Sequence, residues 1–165
     1  MPRAKEHLTV DELIEIGHAT ITLAKRIPEY RRAERPLLPM IYGYVSGRYG
    51  RVIPEKNVGR GRLDFRFSGM SPTVFEVAVR DPYYQVQAHG SANKTELHKL
   101  CREARASLRG LLIIDLSGEA PIPAENLRAS YDRVPGPRGG GARGPVRVIY
   151  VHPRSTYHFL WRPWK

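Results

Sequence analysis

The chain has one cysteine, Cys101, in 165 residues. A lone thiol excludes an intrachain disulfide and a cysteine-built zinc site, and it fits a reduced cytoplasmic setting. No apolar run is long enough to cross a bilayer, and the opening MPRAKEHLTV lacks a signal-like apolar stretch. The six histidines show no metal-site spacing such as His-Glu-x-x-His, so His89, His98, His152 and His158 are assigned no chemistry. The glycine-rich tract near the end lacks the terminal Gly-Lys-Ser/Thr of a nucleotide phosphate loop. Acids are scarce too: 16 against 27 lysines and arginines, for a net charge of +11.

That excess is uneven. Residues 31–69 hold nine cations and three acids, and residues 128–165 hold eight cations and one acid. Arginine dominates both blocks, and its planar fork suits phosphate. Two basic blocks around a neutral centre point to a polyanion, with nucleic acid ahead of an acidic protein partner and DNA ahead of RNA. A hydrophobic share of 41% is enough for a packed core, and the length suits a single domain over 1–165.

Residues 9–27 read as a helix. Thr9 and Glu12 have capping-box spacing, Leu13, Ile16, Gly17, Thr20, Leu23 and Ala24 recur on one face, and Pro28 stops the run. Glu12 and Glu15 lie on its wetter face, as solvated side chains or as a third acid near a metal. Residues 28–40, PEYRRAERPLLPM, read as a connector. Ile41–Ser46 and Arg51–Ile53 then read as a hairpin about Gly47–Gly50, followed by a turn over 54–60. Arg48 and Arg51 alternate there with Tyr42, Tyr44 and Tyr49, a pattern that stacks bases and neutralises phosphates, although tyrosine on a strand is also ordinary packing.

The central stretch runs from Gly61 to Ser117. Gly61–Ser68 alternates, with Leu63, Phe65 and Phe67 on one side and Arg62, Asp64 and Arg66 on the other. Thr73–Arg80 is almost wholly apolar except for Glu76, which asks for a partner because carboxylates are rarely buried without one. Gln85 and Gln87 either bond bases or line an exit turn. A helix opens at Asn93, with Glu96 as its expected capping-box partner and a stripe of Leu97, Leu100, Cys101, Ala104 and Leu108 ended by Gly110. Cys101 in that stripe reads as a packed thiol. Leu111–Leu116 follows as a buried strand, completing a crossover unit. Residues 121–126 form a loop that can open a helical turn. Residues 134–145, rich in Gly and Pro, read as a mobile basic loop whose Arg138 and Arg143 suit nucleic-acid phosphates. Two strands, Val146–Val151 and Thr156–Trp161, end the chain as a hairpin.

Asp64 and Glu76 therefore fall on adjacent strands joined by a short turn. Two converging carboxylates either raise each other's pKa or share a divalent cation, and oxygen ligands without cysteine favour Mg2+ or Mn2+. Such a cation activates water against a phosphodiester. The simpler alternatives are local ion pairs: Asp64 with Arg62, Arg66 or Arg80, and Glu76 with a buried cation from a helix.

The order helix, strands, Asp strand, Glu strand, helix, strand resembles the core of the PD-(D/E)xK superfamily, the restriction-endonuclease-like nucleases, over roughly residues 9–117. The resemblance implies an α/β fold with a mixed central sheet flanked by helices, in α-β-β-β-α-β order plus a C-terminal hairpin. It also implies Mg2+ or Mn2+ at Asp64 and Glu76. The family places a lysine two residues after the glutamate, and here that position is Ala78. Either Lys94 or Lys99 on the next helix has taken the lysine's place, or the fold binds nucleic acid or assembles with other proteins without cutting. Arg62, Arg66 and Arg80 join Arg48, Arg51, Arg138 and Arg143 as candidate nucleic-acid contacts. Paired sites would make a homodimer or a larger protein complex convenient.

Overall fold

The computed structural model describes residues 7–28, 34–50, 52–58, 61–67, 71–82 and 88–164. Among these residues, four helices pack on one six-stranded sheet with strand order β1-β2-β3-β4-β5-β6. The strands are β1 (Val52–Val58), β2 (Gly61–Phe67), β3 (Thr73–Arg80), β4 (Leu108–Asp115), β5 (Val146–His152) and β6 (Ser155–Trp161). β1, β2 and β3 run antiparallel in turn, β3, β4 and β5 are parallel, and β6 returns antiparallel to β5. The helices are α1 (Val10–Ala24), α2 (Glu34–Tyr49), α3 (Lys94–Cys101) and α4 (Ala124–Asp132). The molecule is thus an α/β protein with a mixed sheet, and the C-terminal hairpin extends that sheet through β5.

The sheet separates two cores. On one face Leu13, Ile16 and Ile21 of α1 and Leu37, Ile41 and Val45 of α2 pack on Phe65, Phe67, Phe75, Val77, Leu112 and Ile149. On the other, Leu97, Leu100 and Cys101 of α3 and Leu127 and Tyr131 of α4 pack on Val74, Ala78, Leu111, Ile113 and Val148. β3 and β4 are therefore covered on both sides, which is why they read as continuous apolar runs. α3 and α4 cross over between parallel strands on the same face of the sheet.

The Thr9–Glu12 capping box forms as the sequence indicates. The expected connector over 28–40 and hairpin over 41–53 do not: from Glu34 the chain is helical, and the following strand occupies the expected turn at 54–60. Leu37, Ile41 and Val45 recur every fourth residue, and all three are buried. The burial available beneath that line outweighs the strand preference of Tyr and Val and the backbone donor missing at Pro39. α3 ends at Cys101 rather than running to Leu108, and Gly110 lies inside β4. A side chain at Gly110 would collide with Leu13 of α1, so the glycine marks close packing and not a helix stop.

Gly17 plays the same part on α1, where a Cβ would lie 2.7 Å from Val151 Cγ2 on β5. Gly17→Val should push α1 off the sheet and cost about 2 kcal/mol, a fall of roughly 5 °C in melting temperature. Thermal unfolding followed by circular dichroism checks this; an unchanged midpoint would show that α1 can shift freely.

Candidate active site

β2 and β3 pair only from Phe65↔Phe75 to Phe67↔Thr73. Beyond that point the ladder stops, and the next free donor on β3, Val77 N–H, bonds to the Asp64 carboxylate at 2.6 Å. A side chain has replaced the backbone acceptor where the strands part. Continuing the register sets Asp64 opposite Glu76, with both side chains on the face beneath α3. Asp64 is half-buried and Glu76 is buried, 2% exposed.

α3 supplies the cation. Lys99 Nζ lies 2.8 Å from Glu76 Oε1. The contact is off the line of a good hydrogen bond, so Oε1 is met by charge while its hydrogen-bonding capacity stays unfilled. Burial and then the facing Asp64 push the Glu76 carboxyl up to about 9, against the opposing pull of Lys99. Asp64 is also raised by burial, although the Val77 N–H and a hydrogen bond with Glu76 work the other way. At neutral pH the Glu76 carboxyl therefore keeps its proton in the metal-free protein.

Lys99 is therefore the lysine that reaches the acid pair. Lys94 stands five residues earlier, about 140° round the helix, and is exposed. Glu96, which shares the helix face of Lys99, also faces this site, and its charge raises Asp64. The sequence offered Glu96 as a capping-box partner, but that box does not form: the Asn93 side chain donates to the His89 carbonyl and the Tyr131 hydroxyl. The three-residue spacing of Glu96 and Lys99 was the available signal that both point the same way.

The arginines named from the sequence divide. Arg66 pairs with Glu103, and Arg80 donates to Asp115 at 2.8 Å. Arg48 binds Glu15 at 3.2 Å. Arg138 and Arg143 are exposed. Arg51, Gln85, Gln87 and the side chain of Arg62 lie outside the described residues. Glu15 accepts from Tyr44, Tyr49 and Arg48, while Glu12 closes the helix cap. Both sit on α1, on the opposite side of the sheet from Glu76, so neither serves as a third acid there.

Among the described residues no three His, Cys, Asp or Glu side chains come together as a metal-holding group. Two converging carboxylates with an unfilled oxygen still suit a hard cation such as Mg2+, which commonly takes one or two carboxylates and completes its shell with water and phosphate. A separate cavity of about 340 Å3 opens at the carboxyl ends of β4 and β5, lined by Lys25, Asp115, Glu119, His152 and Arg154 among others. Its buried polar groups are satisfied within the chain: Asp115 accepts from Arg80, Tyr150 and Ser117, and both ring nitrogens of His152 are engaged. No family model, curated protein or solved structure matches the chain.

Because the folded Glu76 carboxyl titrates far above its ordinary value, it stabilises the metal-free fold at low pH, and that contribution is lost as pH climbs towards about 9. Glu76→Gln should flatten this fall. Denaturant midpoints of both proteins between pH 5 and 9, in chelator, give the comparison; parallel slopes would mean that Glu76 titrates normally.

Proposed function

We propose that this chain is a metal-dependent phosphodiester-hydrolysing nuclease with a restriction-endonuclease-like core. The observation that carries the proposal is the Lys99 ammonium 2.8 Å from Glu76, on the sheet face that Asp64 also faces. A lysine two residues after the glutamate would sit at Ala78, which is buried under α3. A lysine from α3 reaches the same glutamate from above. The helix–sheet order, with Asp on β2, Glu on β3 and then α3 and β4, also supports the family assignment.

Asp64 and Glu76 would hold Mg2+ or Mn2+, which when bound lowers the pKa of a water ligand and polarises a phosphodiester. Lys99 would supply a positive charge beside the two carboxylates, where it can stabilise negative charge developing on a bound phosphate. An arginine would hold the charge but not exchange a proton near neutral pH. Burial beneath α3 keeps bulk water from screening these charges, which strengthens each of them. Without the cation, Glu76 holds its proton, so loading the site must expel it.

Two experiments follow. Plasmid and single-stranded substrates should be cut with Mg2+ or Mn2+, and Asp64→Asn or Glu76→Gln should lower the rate by at least about a thousandfold, Lys99→Met by about a hundredfold. Mn2+ titration calorimetry in buffers of different ionisation enthalpy should show proton release near pH 7.5, with affinity rising as pH approaches 9 and no proton released by Glu76→Gln. Cleavage unaffected by these substitutions would overturn the site. A second possibility, a nuclease-like fold that binds without cutting, is favoured by Ala78 in the usual lysine position. It predicts no cleavage with either cation, and nucleic-acid binding indifferent to Glu76→Gln.

A further inference from the structure

The candidate arginines divide by whether an acid within the chain already holds them. Arg48, Arg66 and Arg80 are held by acids within the chain. Four others, Arg102, Arg105, Arg138 and Arg143, are all exposed. The fold brings Arg102, Arg105 and the backbone of Arg143 to one end of α3, and Arg138 lies on the segment fastened there. Arg102 is the helix cap, and Arg105 follows three residues later. The glycine-rich segment after α4 is fastened to the same place. Arg143 and Gly144 both donate backbone N–H groups to the Cys101 carbonyl, at 2.6 and 3.2 Å, and Gly144 packs on the Arg109 guanidinium. Near the start of the segment, the Pro135 carbonyl lies 2.8 Å from His98 Nε2 on α3. Gly139, Gly140 and Gly141 between these ties all have positive φ, and Gly141 lies against Arg102. These glycines leave exposed main chain next to Arg102 and between Arg138 and Arg143 in the chain.

An aromatic group stands beside them. Gly136 packs so tightly on Pro163 that a side chain there would strike the Pro163 carbonyl. The next residue, Trp164, is 57% exposed, whereas Trp161 is buried and donates its ring N–H to the Val134 carbonyl. An indole left in water, joined through Pro163 to a segment that carries arginines and bare glycine backbone, supplies the composition of a stacking platform within a phosphate-binding surface. Stacking requires an unpaired base. A duplex offers phosphates but keeps its base faces covered.

We infer that the end of α3, the 135–145 segment and Trp164 form a docking surface for an unpaired polynucleotide strand, with the arginines on phosphates and Trp164 on a base. The inference rests on the nucleic-acid part of the proposed function, not on catalysis. Lys99 lies one turn before Arg102 on the same helix, so a strand bound here runs beside the helix that closes the acid pair.

Binding is measured by fluorescence anisotropy on the full chain in chelator, so neither cleavage nor metal binding affects the result. The probes are a labelled thymidine oligonucleotide, its uridine counterpart and a duplex of equal length. Either single strand should bind at least about tenfold more tightly than the duplex, and its affinity should fall with a log–log salt slope near −3 if about four phosphates are neutralised. Arg138→Ala with Arg143→Ala should cut the slope by about one and weaken binding roughly tenfold or more. Trp164→Phe should retain most of the affinity, whereas Trp164→Ala should lose about five- to a hundredfold on the strand and little on the duplex. Tighter duplex binding would overturn the inference. So would equal binding of inorganic polyphosphate that is indifferent to Trp164→Ala, because the surface would then be a general anion patch.

Discussion

The constraint on which this molecule turns is the carboxyl of Glu76, set in a strand covered on both faces and only 2% exposed. Burying a carboxylate costs several kcal/mol unless charge and hydrogen bonds answer it. The fold answers from two directions. β2 and β3 part after Phe65↔Phe75 so that Asp64 can hydrogen-bond with Glu76, and α3 delivers Lys99 from above. Each arrangement serves the other. Without the parting, Asp64 would lie against a continuous ladder; without α3 in place, the raised carboxyl would lose the Lys99 cation. A trio of well-packed apolar side chains would be at least as stable in that position. Retaining a polar cluster in an otherwise apolar layer is what the proposed site would require.

The rest of the charge distribution supports the same division. On the far face Glu15 gathers Tyr44, Tyr49 and Arg48, which ties α2 to α1 and sets the second helix over β1 and β3. At the carboxyl end of the parallel strands, Asp115 receives Arg80, Tyr150 and Ser117 and fixes the start of the β4–α4 connection. Arg66 and Glu103 pair where α3 leaves for β4. These arginines serve the architecture, and much of the net charge of +11 is left for the surface. Backbone helps decide where that surplus gathers: the Cys101 carbonyl holds the glycine-rich segment, so Arg143 follows Gly141, which lies against Arg102.

How far the sequence revealed this depended on which force acted at each residue. Asp64 and Glu76 were legible because a carboxylate in an apolar run is conspicuous, and two-residue alternation already placed Asp64 opposite the phenylalanines. Lys99 was legible only as one of two candidates; the register of α3 chose it. α2 was misread as connector and hairpin because its first turns carry proline and its next residues are aromatic and β-branched. Its helical signal, Leu37, Ile41 and Val45, has meaning only against a sheet surface that the sequence does not display. Glu96 was hidden by a plausible local rule, the capping box, which lost to the buried Asn93–Tyr131 hydrogen bond. Glu103 was invisible as the partner of Arg66, since 37 residues and a change of element separate them.

Under the proposed function, a lysine borne by a helix in place of the strand changes what the site depends on. A lysine at position 78 would be fixed by the β-ladder, the stiffest part of the sheet. Lys99 is fixed by the seating of an eight-residue helix. One end of that helix is set by Asn93, bonded to His89 and Tyr131, and the other by the Cys101 carbonyl, which accepts from Arg143 and Gly144. An isolated helix of this length has no stability of its own in water, so these tertiary ties determine its position. The segment that carries the exposed arginines is therefore one of the restraints on the lysine at the acid pair. A polyanion drawing Arg138 and Arg143 towards itself acts on the same carbonyl that ends α3. The proposed docking surface and the acid pair share a helix only two turns long, and the geometry of one is set partly by the other.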